Sequence, residues 1–226
     1  MKAHRHTLGH EHDFEPQHGL PEALPEDEKL LWQGSPAWRA MAIEVFHVRK
    51  LCIYFALLLV LRAGFIVGDG GGAAEVFSAW VWLLPMCALA VAAMLWLARQ
   101  TARSTVYSIT SKRVVMRIGI VLNVTYNLPF KRIAAAGVLK RADGHGDIPL
   151  TLLQGERIAI LQLWPHARPW RVRQPEPMLR CLAEVDVPAG VLSKAWAEAT
   201  GIAAVPATRG AKADASPDWN QAPSAA

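Results

Sequence analysis

Cysteine is scarce in this chain: three occur among 226 residues. Cys52, Cys87 and Cys181 stand apart with no Cys-x-x-Cys spacing, so they provide neither an evident zinc site nor a disulfide framework. They read as small apolar filler, the first two lying inside apolar segments. Also missing are a Ser-His-Asp or Cys-His signature, a nucleophile elbow, metal-spaced carboxylates and a nucleotide loop. No catalytic residue, metal site or cofactor is therefore assigned, and the chain is expected not to be an enzyme. Asp143, His145 and Asp147 sit in a Gly-rich stretch that reads as a turn. The roughly forty leading residues lack an apolar core, so no secretory signal is expected and the apolar segments must do the targeting.

What is abundant is apolar: 52% of the residues are hydrophobic and the mean hydropathy is +0.18. That is high for a soluble protein and low for one wholly in lipid, so a split architecture follows. The net charge is +5. The basic residues flank the apolar segments and recur through the second half instead of forming one arm, which suits an anionic leaflet and not nucleic acid.

Two runs carry the apolar excess. LCIYFALLLVLRAGFIV, from Leu51 to Val67, is interrupted only by Arg62, and FSAWVWLLPMCALAVAAMLWLA, from Phe77 to Ala98, holds no charge. Crossing about 30 Å of hydrocarbon takes roughly 20 helical residues, so both are expected to span. The link GDGGGAAEV is a turn whose charges, Asp69 and Glu75, are acidic. Arg39, Arg49 and Lys50 precede the first run, and Arg99 and Arg103 follow the second. The positive-inside rule then puts both termini in the cytoplasm and the link in the periplasm. Trp80 and Trp82 fall near the outer interface, Trp96 near the inner one. Arg62 lies within two turns of the outer end, where it can snorkel or pair with a partner's membrane acid. Pro85 removes a backbone hydrogen bond and is expected to kink the second span.

Ahead of the hairpin, prolines 16, 21, 25 and 36 forbid long helices. Pro25 followed by Glu26, Asp27 and Glu28 predicts a short helix ending near Gly34, with Leu24, Leu30, Leu31 and Trp32 to bury. His4, His6, His10, His12 and His18 have no ordered scaffold or cysteine beside them and read as a solvated terminus. His47, at the membrane edge, is a candidate axial ligand for a tetrapyrrole.

After Arg103 come short β-branched segments separated by turns. TVYSIT, a break at Ser111–Lys112, and RVVMRIG predict a hairpin with Val114, Met116 and Ile118 on one face and Arg113, Val115 and Arg117 on the other. VTYNLPF, IAAAGVLK, IPLTLL and RIAILQLW are expected as further strands, with turns at ADGHGD and Gln154–Gly155. This is the spacing of a small antiparallel barrel or sandwich. PMLRCLAEV and VLSKAWAEAT, separated by Pro188, are expected as helices, and the Ala/Pro/Gly/Ser tail beyond Ala203 as disordered.

The stretch YSITSKRVVMRIG followed by LPFKRI resembles the bacterial pleckstrin-homology-like (PH-like) domain over residues 100 to 187. That resemblance implies a seven-stranded β-sandwich capped by a helix. HDFEP, GLPEALPEDEKLLWQG, FHVRK, GDIPLTL and LWPHARPWRVRQPEPMLR together resemble the PuhB-type photosynthetic-complex assembly proteins of purple bacteria, over residues 12 to 180. This likeness implies a factor that helps assemble the reaction centre beside its subunits in the bacterial inner, or intracytoplasmic photosynthetic, membrane. The expected order is an N-terminal segment over 1–46, a transmembrane hairpin over 47–99 with spans at about 50–67 and 77–98, a PH-like domain over 100–187, a helix over 188–202 and a tail over 203–226.

For function, LWPHARPWRVRQP gathers Trp164, His166, Arg168, Trp170, Arg171 and Arg173 on a proline-stiffened segment. Such aromatic and Arg side chains are typical of protein–protein hot spots, so these residues, with Arg62, are the candidate partner-binding set. A plainer reading makes Trp164 the last core residue of a strand and gives the arginines to lipid phosphates. Lys112 and Arg113, on the basic turn, are candidate lipid-headgroup contacts. The partners expected are reaction-centre subunits and anionic lipids, with a homo-oligomer left open. A second function class is a carrier of bacteriochlorophyll or lipid using His47 or Arg62.

Overall fold

The computed structural model describes residues 19–20, 22–120, 123–153 and 158–201. The five N-terminal histidines, the turn at Gln154–Gly155 and the tail over 203–226 lie outside the described residues.

The chain enters with a strand, β1 (Leu30–Gly34), where the sequence predicted a helix. The acidic run after Pro25 looks like a helix start, but Leu30–Gly34 finds a partner far along the chain in β2 (Val106–Thr110), with Leu30 opposite Thr110 and Gly34 opposite Tyr107. Pairing with β1 covers backbone groups that β2 would otherwise expose as an edge. Side chains reinforce the match: Gln33 Nε2 donates to Ser108 Oγ at 2.9 Å, and Trp32 packs on the core. A short helix α1 (Trp38–Ala40) then runs into a π-helical turn, Met41–Val45.

Two helices long and apolar enough to cross a membrane follow, α2 (Val48–Gly68) and α3 (Ala73–Ser104). Their sides are mostly exposed, and they pack on each other with Trp80 Nε1 donating to the Leu59 carbonyl at 3.3 Å. Gly70 holds φ 86 in the reversal, a conformation that a side chain disfavours. Pro85 lies inside α3 without ending it. The helix continues past Ala98 to Ser104 because its last turns are no longer lipid-like: Ala98, Thr101 and Ala102 are buried in the folded domain.

The domain is a sandwich of two antiparallel sheets. The first is β1-β2-β3-β4, with β3 at Arg113–Ile118 and β4 at Val124–Pro129. The expected β2–β3 hairpin is present, its Ser111–Lys112 turn pinned by Thr110, whose Oγ1 accepts from Arg113 N at 3.1 Å and donates to Arg113 O at 3.0 Å. Val114, Met116 and Ile118 face the core as expected, but Val115 and Arg117 are buried too. That outer face is covered by the segment around Leu20, Ala23 and Pro25, leaving a cavity of about 390 Å³ beside Arg113 and Val115.

In the second sheet β7 (Gly146–Leu152) pairs on one side with β5 (Ile133–Ala136) and β6 (Leu139–Lys140), and on the other with β8 (Met178–Leu182). β8 corrects the predicted helix over PMLRCLAEV. Met178, Leu179, Leu182 and Val185 have helical spacing, but the open side of β7 captures the segment, and burial on both faces hides a strand's alternation. The strand expected over RIAILQLW is also corrected, to a one-turn helix α4 (Ile160–Leu163) among its described residues. Residues 166 to 168 already occupy the far side of β8, with Met178 N donating to His166 O at 2.8 Å and Arg168 N to Glu176 O at 2.9 Å. The segment before them therefore closes its hydrogen bonds locally, as in Trp164 N to Ile160 O at 2.9 Å.

Helix α5 (Asp186–Thr200) carries Pro188 in its first turn, so one helix stands where a break was expected. Val185, at its start, with Leu192 and Ala195 closes the core formed by Tyr107, Met116, Phe130, Ile148, Leu150 and Leu179. Eight strands are thus found among the described residues where the resemblance implied seven, the addition being β1.

A pinned aromatic loop as the candidate functional site

The Trp164–Arg173 segment divides into a buried root and an exposed tip. At the root His166 has no exposed surface, contrary to its assignment to a partner surface. Its ring stands edge-on to Tyr107, centroids 5.7 Å apart. Arg180 N donates to the Tyr107 oxygen at 3.1 Å, and the same hydroxyl is hydrogen-bonded to His166 Nδ1, 2.6 Å away. Nε2 is hydrogen-bonded to Thr105 Oγ1 at 3.2 Å, so both ring nitrogens have partners. Burial, helped by the Arg180 charge, pushes the imidazole down to a pKa of about 3, so it is neutral at physiological pH. The same burial pushes the Tyr107 hydroxyl above its usual range. Arg180 also donates through Nη1 to Pro165 O at 3.1 Å, fastening the residue before His166.

The tip is held by an acid that sequence reasoning missed. Glu176 is buried; it accepts from Arg168 Nη1 at 2.7 Å and faces Arg171 Nη1 at 3.8 Å. Two of the arginines assigned to a partner are thus partly engaged within the loop, and Arg173 is exposed. Trp170 is 97% exposed at φ 66, a strained conformation for a bulky residue. Its ring gains no packing in the isolated chain. Trp164 is 63% exposed rather than the end of a strand's core, and rests edge-on against Phe46, centroids 5.9 Å apart.

The basic turn proves to be internally balanced. Arg113 Nε meets Glu28 Oε1 at 2.7 Å with the Glu28 side chain almost wholly buried, and Lys112 pairs with Asp27. The Lys112 ammonium holds the Asp27 carboxyl below its usual range. The turn also lies at the end of β2 opposite its junction with α3. A lipid-headgroup role for Lys112 and Arg113 is disfavoured by both facts.

A second buried polar group ties the segment before α2 to the sandwich. Asp147 lies on β7 instead of in the preceding turn; its Oδ1 accepts from Cys181 N at 2.7 Å and its Oδ2 from Arg141 Nη2 at 2.8 Å. Arg141 also reaches Glu44 at 3.7 Å, and Ala37 N donates to Cys181 O at 2.7 Å. Cys181 holds φ 54 where the β7–β8 register shifts, and burial pushes its thiol up to about 12. Met41, Ala42, Val48, Ala98 and Cys181 form the apolar cluster beneath.

Neither Arg62 nor His47 joins the pinned loop. Arg62 is exposed on α2 and His47 precedes that helix, roughly 20 Å away along its axis, so no shared ligand cavity links them. Among the described residues no three His, Cys, Asp or Glu side chains are grouped to hold a metal ion.

A two-sheet antiparallel sandwich closed by a C-terminal helix is the architecture of a PH-like domain. The chain belongs to the bacterial PH domain family, which it matches over residues 55–195. It is 38% identical over 187 residues, 82% of this chain and 87% of the other, to an uncharacterized 23.7 kDa protein of Rhodobacter capsulatus described as lying in the puhA 5' region. No solved structure matches the chain.

Proposed function

We propose that this protein is a membrane-bound factor that promotes assembly of the photosynthetic reaction centre by docking its subunits, without catalysing a reaction. The docking part is carried by Trp170, a strained and almost wholly exposed aromatic at the tip of a loop whose root is locked into the core. A prearranged aromatic with arginines beside it loses little freedom on binding. The photosynthetic part rests on the relative's description, which ties that protein to a reaction-centre gene region.

Membrane attachment is supported by α2 and α3, and the bacterial inner or intracytoplasmic membrane is the location that the assembly role implies. Lys and Arg at the open ends of the hairpin, against Asp69 and Glu75 at the closed end, support cytoplasmic termini. The β1–β2 pairing agrees, since it joins the segments before and after the hairpin on one side. Arg62, two turns from the end of α2, reaches the outer headgroups by snorkelling, and anionic lipids complete the set of partners. Deleting the gene should deplete reaction-centre absorbance while transcripts of the subunits persist, and the wild-type gene should restore it. Unchanged absorbance would end the proposal.

A further inference from the structure

Two exposed apolar side chains outside the hairpin share one short turn. Leu161 on α4 is 88% exposed, although the neighbouring Leu163 is fully buried, and Trp164 follows at the end of the same turn. Among the described residues little covers them, and the Phe46–Trp164 contact fixes their height. Phe46 lies two residues before Val48, where α2 begins, and the 21 residues of α2 measure about 31 Å, close to the hydrocarbon thickness. Trp164 therefore stands level with the open end of the hairpin.

A second contact marks the same level independently. Trp38 is flanked by the guanidinium groups of Arg39 and Arg99, each 5.6 Å from its ring. Arg99 is the first charge after the uncharged stretch of α3 that begins at Val76. Three segments distant in sequence thus converge on one belt of aromatic rings and cations around the open end of the hairpin. Amphipathic rings with adjacent cations match the headgroup zone of a bilayer, where the ring body meets acyl chain and the charge meets phosphate.

We propose that α4 and Trp164 form an interfacial foot: Leu161 and the Trp164 ring enter the headgroup–acyl boundary of the same membrane that the hairpin crosses, with Trp38 and Arg99 completing the belt. The proposal rests on the reading of α2 and α3 as membrane spans. The foot adds a third attachment beside the two helices and fixes the tilt of the sandwich over the lipid, leaving the Trp170 tip free for a protein partner.

The test uses the full chain reconstituted in vesicles of phosphatidylcholine and phosphatidylglycerol, doped with a phospholipid carrying a diazirine near the glycerol end of one acyl chain. After photolysis, adducts are mapped by mass spectrometry. Adducts are expected on the peptide containing Leu161 and Trp164 as well as on α2 and α3, and Leu161→Glu should lose those on the foot while keeping those on the hairpin. Labelling of α2 and α3 with none on the foot overturns the foot alone, whereas absence of labelling on the helices overturns the membrane reading beneath it. Hydroxyl-radical footprinting separates lipid from protein cover: protection of Trp164 in pure lipid vesicles supports the foot, and protection appearing only in native membranes assigns the surface to a protein partner and overturns it.

Discussion

Acidification should loosen the Trp164–Arg173 loop through His166. The ring is neutral and buried, with its pKa pushed from 6.5 to about 3, so the unfolded chain takes up a proton there that the folded chain refuses. Stability from this group is complete above the unfolded value and is lost as pH falls from about 6.5 toward 3. The linkage integral for those two values gives a loss of about 2 kcal/mol at pH 5 and about 3 kcal/mol at pH 4. Carboxylates titrate in the same range, so the measurement is a difference between the wild type and His166→Gln. Glutamine can accept from Tyr107 and donate to Thr105 but does not titrate. Guanidinium unfolding in detergent micelles, followed by near-ultraviolet circular dichroism at several pH values, should give curves that diverge below pH 6.5, the wild type losing more. Parallel curves would refute the neutral buried ring.

The remaining expectations concern the tip and the basic turn. Trp170→Ala removes an exposed, strained side chain and should leave unfolding unchanged within about 0.5 kcal/mol, or raise stability slightly, while failing to restore reaction-centre absorbance in a deletion strain. Glu176→Gln removes the charge facing Arg168 and Arg171, and should speed proteolysis between residues 168 and 176 without abolishing the fold. Arg113→Ala leaves Glu28 buried without its cation and should cost about 3 kcal/mol, whereas Lys112→Ala at its exposed pair with Asp27 should produce no measurable change. Equal effects of the two would contradict the burial difference between them.

The hairpin was legible in the sequence because helices long and apolar enough for a bilayer need an uninterrupted run that few other structures require. The β2–β3 hairpin was legible too, from alternating β-branched residues around a short polar break. Elements whose state depends on distant neighbours were misread. Leu30–Gly34 is a strand because β2 lies beside it, and nothing near it in the chain signals β2. Met178–Leu182 is apolar on both faces, so its spacing reads as a helix until β7 and residues 166 to 168 are in view. His166 shows the same limit in the site: its local composition resembles an exposed hot spot, but Thr105 and Tyr107 lie about sixty positions away. A tyrosine alternating with Ile109 on a core strand was the available clue that some buried polar group must meet its hydroxyl.

The order of the strands bears on how such a chain is made. β1 leaves the ribosome before the hairpin and β2 after it, a wait of roughly 4 to 14 s at about 5–20 residues per second. If both helices span a membrane as proposed, then until they have been inserted with their open ends on the same side, β1 has no strand to join and β2 exposes a bare edge. On that reading, a chain in which only one helix crosses, or in which the second is mis-threaded, cannot complete the first sheet and leaves that edge bare. Under the proposed membrane reading, the Leu30–Thr110 register thus doubles as a check on insertion: the first sheet closes only over a correctly threaded hairpin.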